Sequence, residues 1–146
     1  MIIAESDTRR DPTFVLLLPI VFVLTGMLIR FMAVRYQFPD TSPGDYFTQL
    51  CRWDCSWYVS MAERGYDPFP VPARVSAGNW AFFPLYPMLV GLVAAIVPLQ
   101  TIVTASLISI VTAYAATVLA WPLLGYSRRA YTLYAAFLLS GPVSFY

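Results

Sequence analysis

The longest uncharged stretch in this sequence runs from residue 75 to residue 127, without one Asp, Glu, Lys or Arg. As a continuous helix rising ~1.5 Å per residue it would be about 80 Å long, more than twice the ~30 Å thickness of a bilayer core. It must therefore turn at least once, and the natural break is Pro98-Leu99-Gln100. The sequence thus predicts one membrane segment over 83–97 and another over 101–124.

Two more apolar stretches flank this region. Residues 13–34 predict a first transmembrane helix, in which Arg30 extends its guanidinium toward the interface. Residues 130–146 predict a last membrane segment. Only 12% of the residues are charged, against about 25% in soluble domains. We expect an all-α integral membrane protein with about three to four transmembrane helices, forming a single membrane domain over 1–146. A cleaved signal peptide at 13–34 is the alternative, but the stretch is long for one and no small-residue cleavage site follows.

Composition also excludes several functions. A formal net charge of +1 gives no reason to expect a nucleic-acid partner. The chain has no His, which removes the commonest general base and the commonest metal ligand. We therefore expect neither a metal site nor a cofactor. Cys51 and Cys55 are predicted to be unpaired small apolar residues, because positions four apart on a helix rarely close a disulfide.

The polar residues concentrate in a loop predicted over 35–82. Ser42, Pro43 and Asp45 predict a helix start, and Gly65 predicts its end, with no Gly or Pro between Tyr46 and Arg64. We expect one amphipathic helix, or two, along the membrane surface. Residues at helical spacing would place Asp54 on one face with apolar and aromatic groups, where partial loss of water would make it a better base. That face comprises Phe47, Cys51, Asp54, Tyr58 and Met61.

Two motifs in this loop carry a resemblance to a known family. RWDCSWYVSMAERGY begins at Arg52 and NWAFFPLYP ends at Pro87. The pair resembles the mannosyltransferases of the phosphatidylinositol-glycan class V type (GPI mannosyltransferase 2) and their bacterial relatives. Family members have a WD followed by an aromatic helix, an A-E-x-G-Y turn and an AFFP-x-x-P entry to the next span. The matching residues are Trp53, Asp54, Ala62, Glu63, Gly65, Tyr66, Ala81, Phe82, Phe83, Pro84 and Pro87.

The resemblance implies a GT-C glycosyltransferase that takes a hexose from a polyprenyl-phosphate donor, on the non-cytoplasmic face, with inversion. Asp54 matches the family's catalytic base. The acceptor of the enzyme would be a lipid-linked molecule or a glycan, and membrane lipids would surround the protein. The membrane would be the plasma membrane of a bacterium or the endoplasmic reticulum of a eukaryote.

Each candidate site residue also has a plainer interpretation. Asp54 could merely cap or solvate an interfacial helix. Arg52 could bind a donor phosphate or a lipid head group, and Trp53 and Trp57 could stack on a sugar or anchor the loop at the interface. Glu63 could contact substrate or hold the end of the helix.

The resemblance covers about residues 15–146, the N-terminal part of such an enzyme. We therefore expect the chain to be a fragment, inactive without further spans or a partner membrane protein. The rival hypothesis from a different class is a non-catalytic membrane subunit or scaffold.

Overall fold

The computed structural model of the chain describes residues 11–52, 54–68 and 78–140, and these form helices and connecting turns with no strand. The predicted all-α class is confirmed for this part of the chain. Two compact units are present: the first is drawn from residues up to 42 and from 109 onward, and the second from 43 to 108. In chain order the helices are α1 (Pro12–Gln37), a 3-10 turn (Pro43–Asp45), α2 (Tyr46–Leu50), α3 (Cys55–Arg64), a second 3-10 turn (Asn79–Ala81), α4 (Leu85–Ile96), α5 (Thr101–Leu123) and α6 (Arg128–Ser140).

Two of these helices are long and apolar enough to cross a membrane. They are α1, with 26 residues and a mean hydropathy of 2.4, and α5, with 23 residues and a mean hydropathy of 2.0. Helix α4 has only 12 residues, about 18 Å at ~1.5 Å each, which is too short to span. In the predicted segment 130–146, α6 ends at Ser140 and residues 141–146 lie outside the described part.

In the first unit, α1 and α6 are joined where they begin. The carboxylate of Asp11 accepts a hydrogen bond from the Phe14 amide at 3.0 Å, which caps α1. The same carboxylate pairs with the Arg128 guanidinium at 2.6 Å, and that guanidinium lies 5.0 Å from the centre of the Phe14 ring. A cation is unfavourable at the start of a helix, so Asp11 offsets the position of Arg128 at the start of α6.

A second link between α1 and α6 arises from the proline inside α1. Pro19 has no N–H, so the carbonyl of Val15, four residues earlier, lacks its intrahelical donor. The hydroxyl of Tyr131 on α6 donates to that carbonyl at 2.7 Å. Tyr131 is fully buried, and so is Pro19. An acceptor inside an apolar unit requires a partner, and α6 supplies it.

Further along, Gly26 permits α1 and α6 to approach closely. A Cβ at this position would lie 2.5 Å from the Leu139 carbonyl oxygen, which no side chain could tolerate. Contacts from Val15 to Tyr131 and from Gly26 to Leu139 advance in the same direction, so the two helices run parallel.

The expectation that Arg30 extends to the interface is wrong, because its side chain is buried beside Gly26.

The last part of α5 packs against the start of α1. Trp121 forms edge-to-face contacts with Tyr131 at 5.1 Å and with Phe14 at 6.1 Å. One turn beyond Pro12, the carbonyl of Leu16 accepts a hydrogen bond from the Tyr114 hydroxyl at 3.1 Å. The end of α5 therefore lies beside the beginning of α1.

In the second unit, α3 packs on α4 through a small residue. A Cβ at Gly91 would lie 2.7 Å from the Ala62 carbonyl oxygen, so only glycine allows this separation. Met61 of α3 and Val90 of α4 are buried. The Tyr86 hydroxyl donates to the Ala105 carbonyl at 3.0 Å, which links α4 to the first turns of α5.

We predict that Tyr131→Phe lowers the free energy of unfolding by about 1–2 kcal/mol, because it leaves the buried Val15 carbonyl without a donor. The measurement is reversible unfolding in mixed micelles. Tyr134→Phe on the solvent-accessible side of α6 is the matched control and should have little effect.

The proline supplies the decisive comparison. In a Pro19→Ala background, the amide of residue 19 can bond to Val15 itself, so Tyr131→Phe should cost less than it does in the parent. An equal cost in both backgrounds would show that Tyr131 acts through packing and not through this carbonyl.

Candidate functional site

The site predicted from the sequence is interrupted by a disulfide. Cys51 and Cys55 are bonded, with their Cα atoms 5.3 Å apart, so the prediction that they are unpaired is wrong. The error came from assuming a continuous helix through both positions. Helix α2 ends at Leu50, Cys51 has an extended backbone, and α3 begins only at Cys55. The two cysteines therefore do not have the helical spacing that disfavours a disulfide.

Asp54 lies inside this closed segment, directly before α3. Its carbonyl accepts hydrogen bonds from the amides of Trp57 and Tyr58 at 3.0 and 3.2 Å. Its carboxylate makes no capping hydrogen bond, although Asp is a favoured capping residue and stands at the capping position. The side chain is exposed, so the expected partial loss of water around Asp54 is wrong.

The other charged candidates are placed differently relative to Asp54. Arg52 is exposed and shares the disulfide-closed segment with it. Glu63 is exposed near the opposite end of α3, nine residues away, which is about 13 Å along a helix axis. Arg52 is therefore close to Asp54 along the chain, whereas Glu63 is at the far end of α3. Trp53 lies outside the described residues.

Trp57 is half-buried and takes part in an aromatic cluster between α3 and the entry to α4. Its ring stacks on Phe82 with 6.1 Å between centroids and 24° between planes. Tyr58 makes edge-to-face contacts with Phe82 at 5.1 Å and with Tyr86 at 5.4 Å. One face of Trp57 is therefore occupied by protein, and a sugar could stack only on the other.

A hydrogen-bonded bridge that the sequence analysis missed holds the turn after α3. The Asp67 amide donates to the side-chain oxygen of Asn79 at 2.9 Å, and the Asn79 amide donates to the Asp67 carboxylate at 3.1 Å. Asn79 is fully buried and also donates to the Gly65 carbonyl. The Tyr66 hydroxyl adds a bond to the Phe82 carbonyl at 2.8 Å. The two motifs of the resemblance are thus tied to each other, and Asn79 in NWAFFP was the available signal.

The site therefore offers an exposed carboxylate and an exposed guanidinium at the start of a helix that is braced by aromatic and hydrogen-bonded contacts. Among the described residues, no group of three or more His, Cys, Asp or Glu side chains is arranged to hold a metal ion. Comparisons with family models, with curated proteins and with solved structures find no match to this chain. The chemistry of the site must be argued from its own residues.

We predict that replacing both cysteines, Cys51→Ser with Cys55→Ser, allows α2 and α3 to join into one helix. No Gly or Pro lies between Tyr46 and Arg64 to stop it, and the disulfide closes across the break. Hydrogen exchange should show new protection at the amides of residues 52 and 54, which would gain intrahelical acceptors.

Exchange within α6 is the internal control and should not change. Unaltered exchange at residues 52 and 54 would show that packing against α4, and not the disulfide, interrupts the helix.

Proposed function

We propose that this chain carries the catalytic aspartate of a multi-pass membrane glycosyltransferase of the GT-C type. The enzyme moves a hexose, for which mannose is the first candidate, from a polyprenyl-phosphate donor to a lipid-linked or glycan acceptor. The two apolar helices α1 and α5 support the membrane placement. The motifs containing Asp54 and Phe82 support the family assignment.

In the proposed reaction, Asp54 accepts the proton of the acceptor hydroxyl as that oxygen attacks the anomeric carbon. The bond between the anomeric carbon and the phosphate oxygen breaks, and the polyprenyl phosphate leaves with the electron pair. Attack opposite the leaving group inverts the anomeric centre. The products are the glycosylated acceptor, the polyprenyl phosphate and a protonated Asp54 that returns its proton to solvent.

The observation that carries this proposal is the exposed carboxylate of Asp54, which does not cap α3. If the residue served only to cap α3, its side chain would bond to an amide in the first turn, and it makes no such bond. An exposed carboxylate held next to a helix by a disulfide is available to a substrate. Arg52 in the same segment can bind the departing phosphate through charge-assisted hydrogen bonds.

The disulfide also supports the proposed compartment. Disulfides persist in oxidising compartments and are rare in the cytosol. The Cys51–Cys55 bond therefore favours a non-cytoplasmic location for Asp54. That face belongs to the plasma membrane in a bacterium and to the endoplasmic reticulum in a eukaryote.

We predict that Asp54→Asn, introduced into the natural gene product, reduces sugar transfer about 10²–10⁴-fold, the usual contribution of a general base. Asparagine preserves the shape of the side chain but cannot accept the proton. Asp54→Glu should retain a small activity, because its carboxylate is displaced by one methylene. The assay follows transfer of labelled mannose from its polyprenyl phosphate in isolated membranes.

Asp45→Asn is the control, since Asp45 is exposed in the turn before α2, and it should stay within a few-fold of the parent. Asp67 is unsuitable as a control, because its carboxylate belongs to the bridge with Asn79. An active Asp54→Asn protein at normal abundance would overturn the assignment, and Glu63→Gln would then be the next variant to assay.

For the donor phosphate, we predict that Arg52→Ala raises the apparent KM for the polyprenyl-phosphate sugar roughly ten-fold or more. Loss of one charge-assisted hydrogen bond costs about 1.5–3 kcal/mol, and a factor of ten corresponds to about 1.4 kcal/mol. The KM for the acceptor should change much less.

Arg64→Ala is the matched control, because Arg64 is also exposed but lies at the far end of α3, where it donates to Ser60 at 2.7 Å. If both variants raised the KM for the donor equally, Arg52 would only attract anionic lipid in general and would not bind the donor phosphate. No transfer by the natural gene product with any polyprenyl-phosphate hexose would favour a non-catalytic membrane subunit.

A further inference from the structure

The first unit determines how many times the chain between α1 and α5 crosses the bilayer. The start of α1 lies beside the end of α5, through the contacts of Phe14 with Trp121 and of Leu16 with Tyr114. If both helices span, residues 12 and 123 lie on one side of the membrane. Gln37, at the end of α1, and Thr101, at the start of α5, then lie on the other side.

The intervening chain thus begins and ends on the same side, so it crosses an even number of times. The apolar helix described in that region is α4, and a single crossing by α4 would bring Thr101 to the wrong side. Its 12 residues cover about 18 Å of a ~30 Å core. Phe82 before it and Val97 after it have extended backbones, which are tolerated near an interface but not in contact with the bilayer core.

The two faces of the α3–α4 pair differ sharply in chemistry. The exposed large side chains of α4 are all apolar and recur at helical spacing, on the side opposite Val90. They are Leu85, Met88, Leu89, Leu92 and Ile96. The exposed side chains from Asp54 to the end of α3 are all polar, namely Asp54, Ser56, Glu63 and Arg64. The exposed surface of α3 is therefore compatible with water, and that of α4 with lipid.

We propose that α4 lies in the interface of the leaflet nearest the Cys51–Cys55 disulfide, with its exposed apolar face against lipid, and does not cross the bilayer. Arg128 and Arg129 then lie on the side of the membrane opposite the disulfide. The occupant of the apolar face is the same lipid that surrounds α1 and α5. This inference rests on the membrane placement proposed above and is independent of the glycosyltransferase assignment.

The distribution of arginine supports this topology. Within about 20 residues of the ends of α1 and α5, Arg9, Arg10, Arg128 and Arg129 lie on one side and Arg35 and Arg52 on the other. Arg64 and Arg74 are farther from those ends in sequence, and Arg30 lies inside α1. An excess of arginine in short flanking segments marks the cytoplasmic side. That places the disulfide on the non-cytoplasmic side, where disulfides persist, so two independent rules agree.

Thiol labelling in intact cells tests the crossing number. The native cysteines are bonded to each other and do not react, so single cysteines can be introduced without removing them. Three exposed positions suffice: Asp40→Cys after α1, Gln100→Cys between α4 and α5, and Arg129→Cys at the start of α6. An impermeant maleimide should label residues 40 and 100 in intact cells and residue 129 only after permeabilisation.

The other labelling patterns are equally informative. Labelling at 40 and 129 with protection at 100 would show that α4 crosses and would overturn the inference. Labelling only at 129 would keep 40 and 100 together, supporting a non-crossing α4 but reversing the proposed orientation. Release of the protein by alkaline carbonate would instead overturn the membrane placement itself, along with this inference.

Depth measurements test the lipid contact. Spin labels at Leu24→Cys in α1, Leu92→Cys in α4 and Ser56→Cys in α3, all exposed positions, would be compared in bilayer nanodiscs. We expect the label at 24 to be the most accessible to oxygen. The label at 92 should lie at a shallow depth, within about 10 Å of the head groups, and the label at 56 should be in water. A label at 92 as deep as that at 24, or as wet as that at 56, would contradict the interfacial placement.

Discussion

The carbonyl of Val15 is the acceptor on which the first unit depends. Pro19 removes its partner within α1, and the Tyr131 hydroxyl of α6 replaces that partner at 2.7 Å. In an apolar setting an unbonded carbonyl is costly, so α6 is held beside α1 in a single register. Asp11 with Arg128 and the close approach at Gly26 add to the same alignment. The parallel course of α1 and α6 follows from these contacts, and Trp121 packs the end of α5 against the same Tyr131.

In the second unit, the corresponding constraint is covalent. The Cys51–Cys55 disulfide interrupts a segment that has every local tendency to be one helix, and it leaves Asp54 exposed at the start of α3. The aromatic cluster of Trp57, Tyr58, Phe82 and Tyr86 and the bridge between Asp67 and Asn79 then hold α3 against the entry to α4. These contacts would help to position Asp54 for its proposed role as general base, because catalysis depends on position.

The exposed surfaces of the helices differ in polarity. Exposed apolar side chains run along α1 and α4, whereas the exposed positions of α3 are polar. The proposed chemistry needs both environments, because a polyprenyl donor is held by its lipid tail while its sugar phosphate is in water. Asp54 and Arg52 stand on the polar side of that division.

The sequence by itself determined the helical class and the approximate position of every long helix. Uncharged runs of defined length and Pro98-Leu99-Gln100 carry that information locally, through hydrophobicity and backbone restriction. It also identified Asp54 and Arg52 as neighbours, since two residues of separation need no fold. What only the tertiary structure decided were contacts between distant residues: Tyr131 with Val15, Asn79 with Asp67, Trp121 with Phe14. The disulfide belongs to this second class although its cysteines are close in sequence. Helical periodicity there favours a continuous helix, whereas in the structure the helix is broken between the two cysteines.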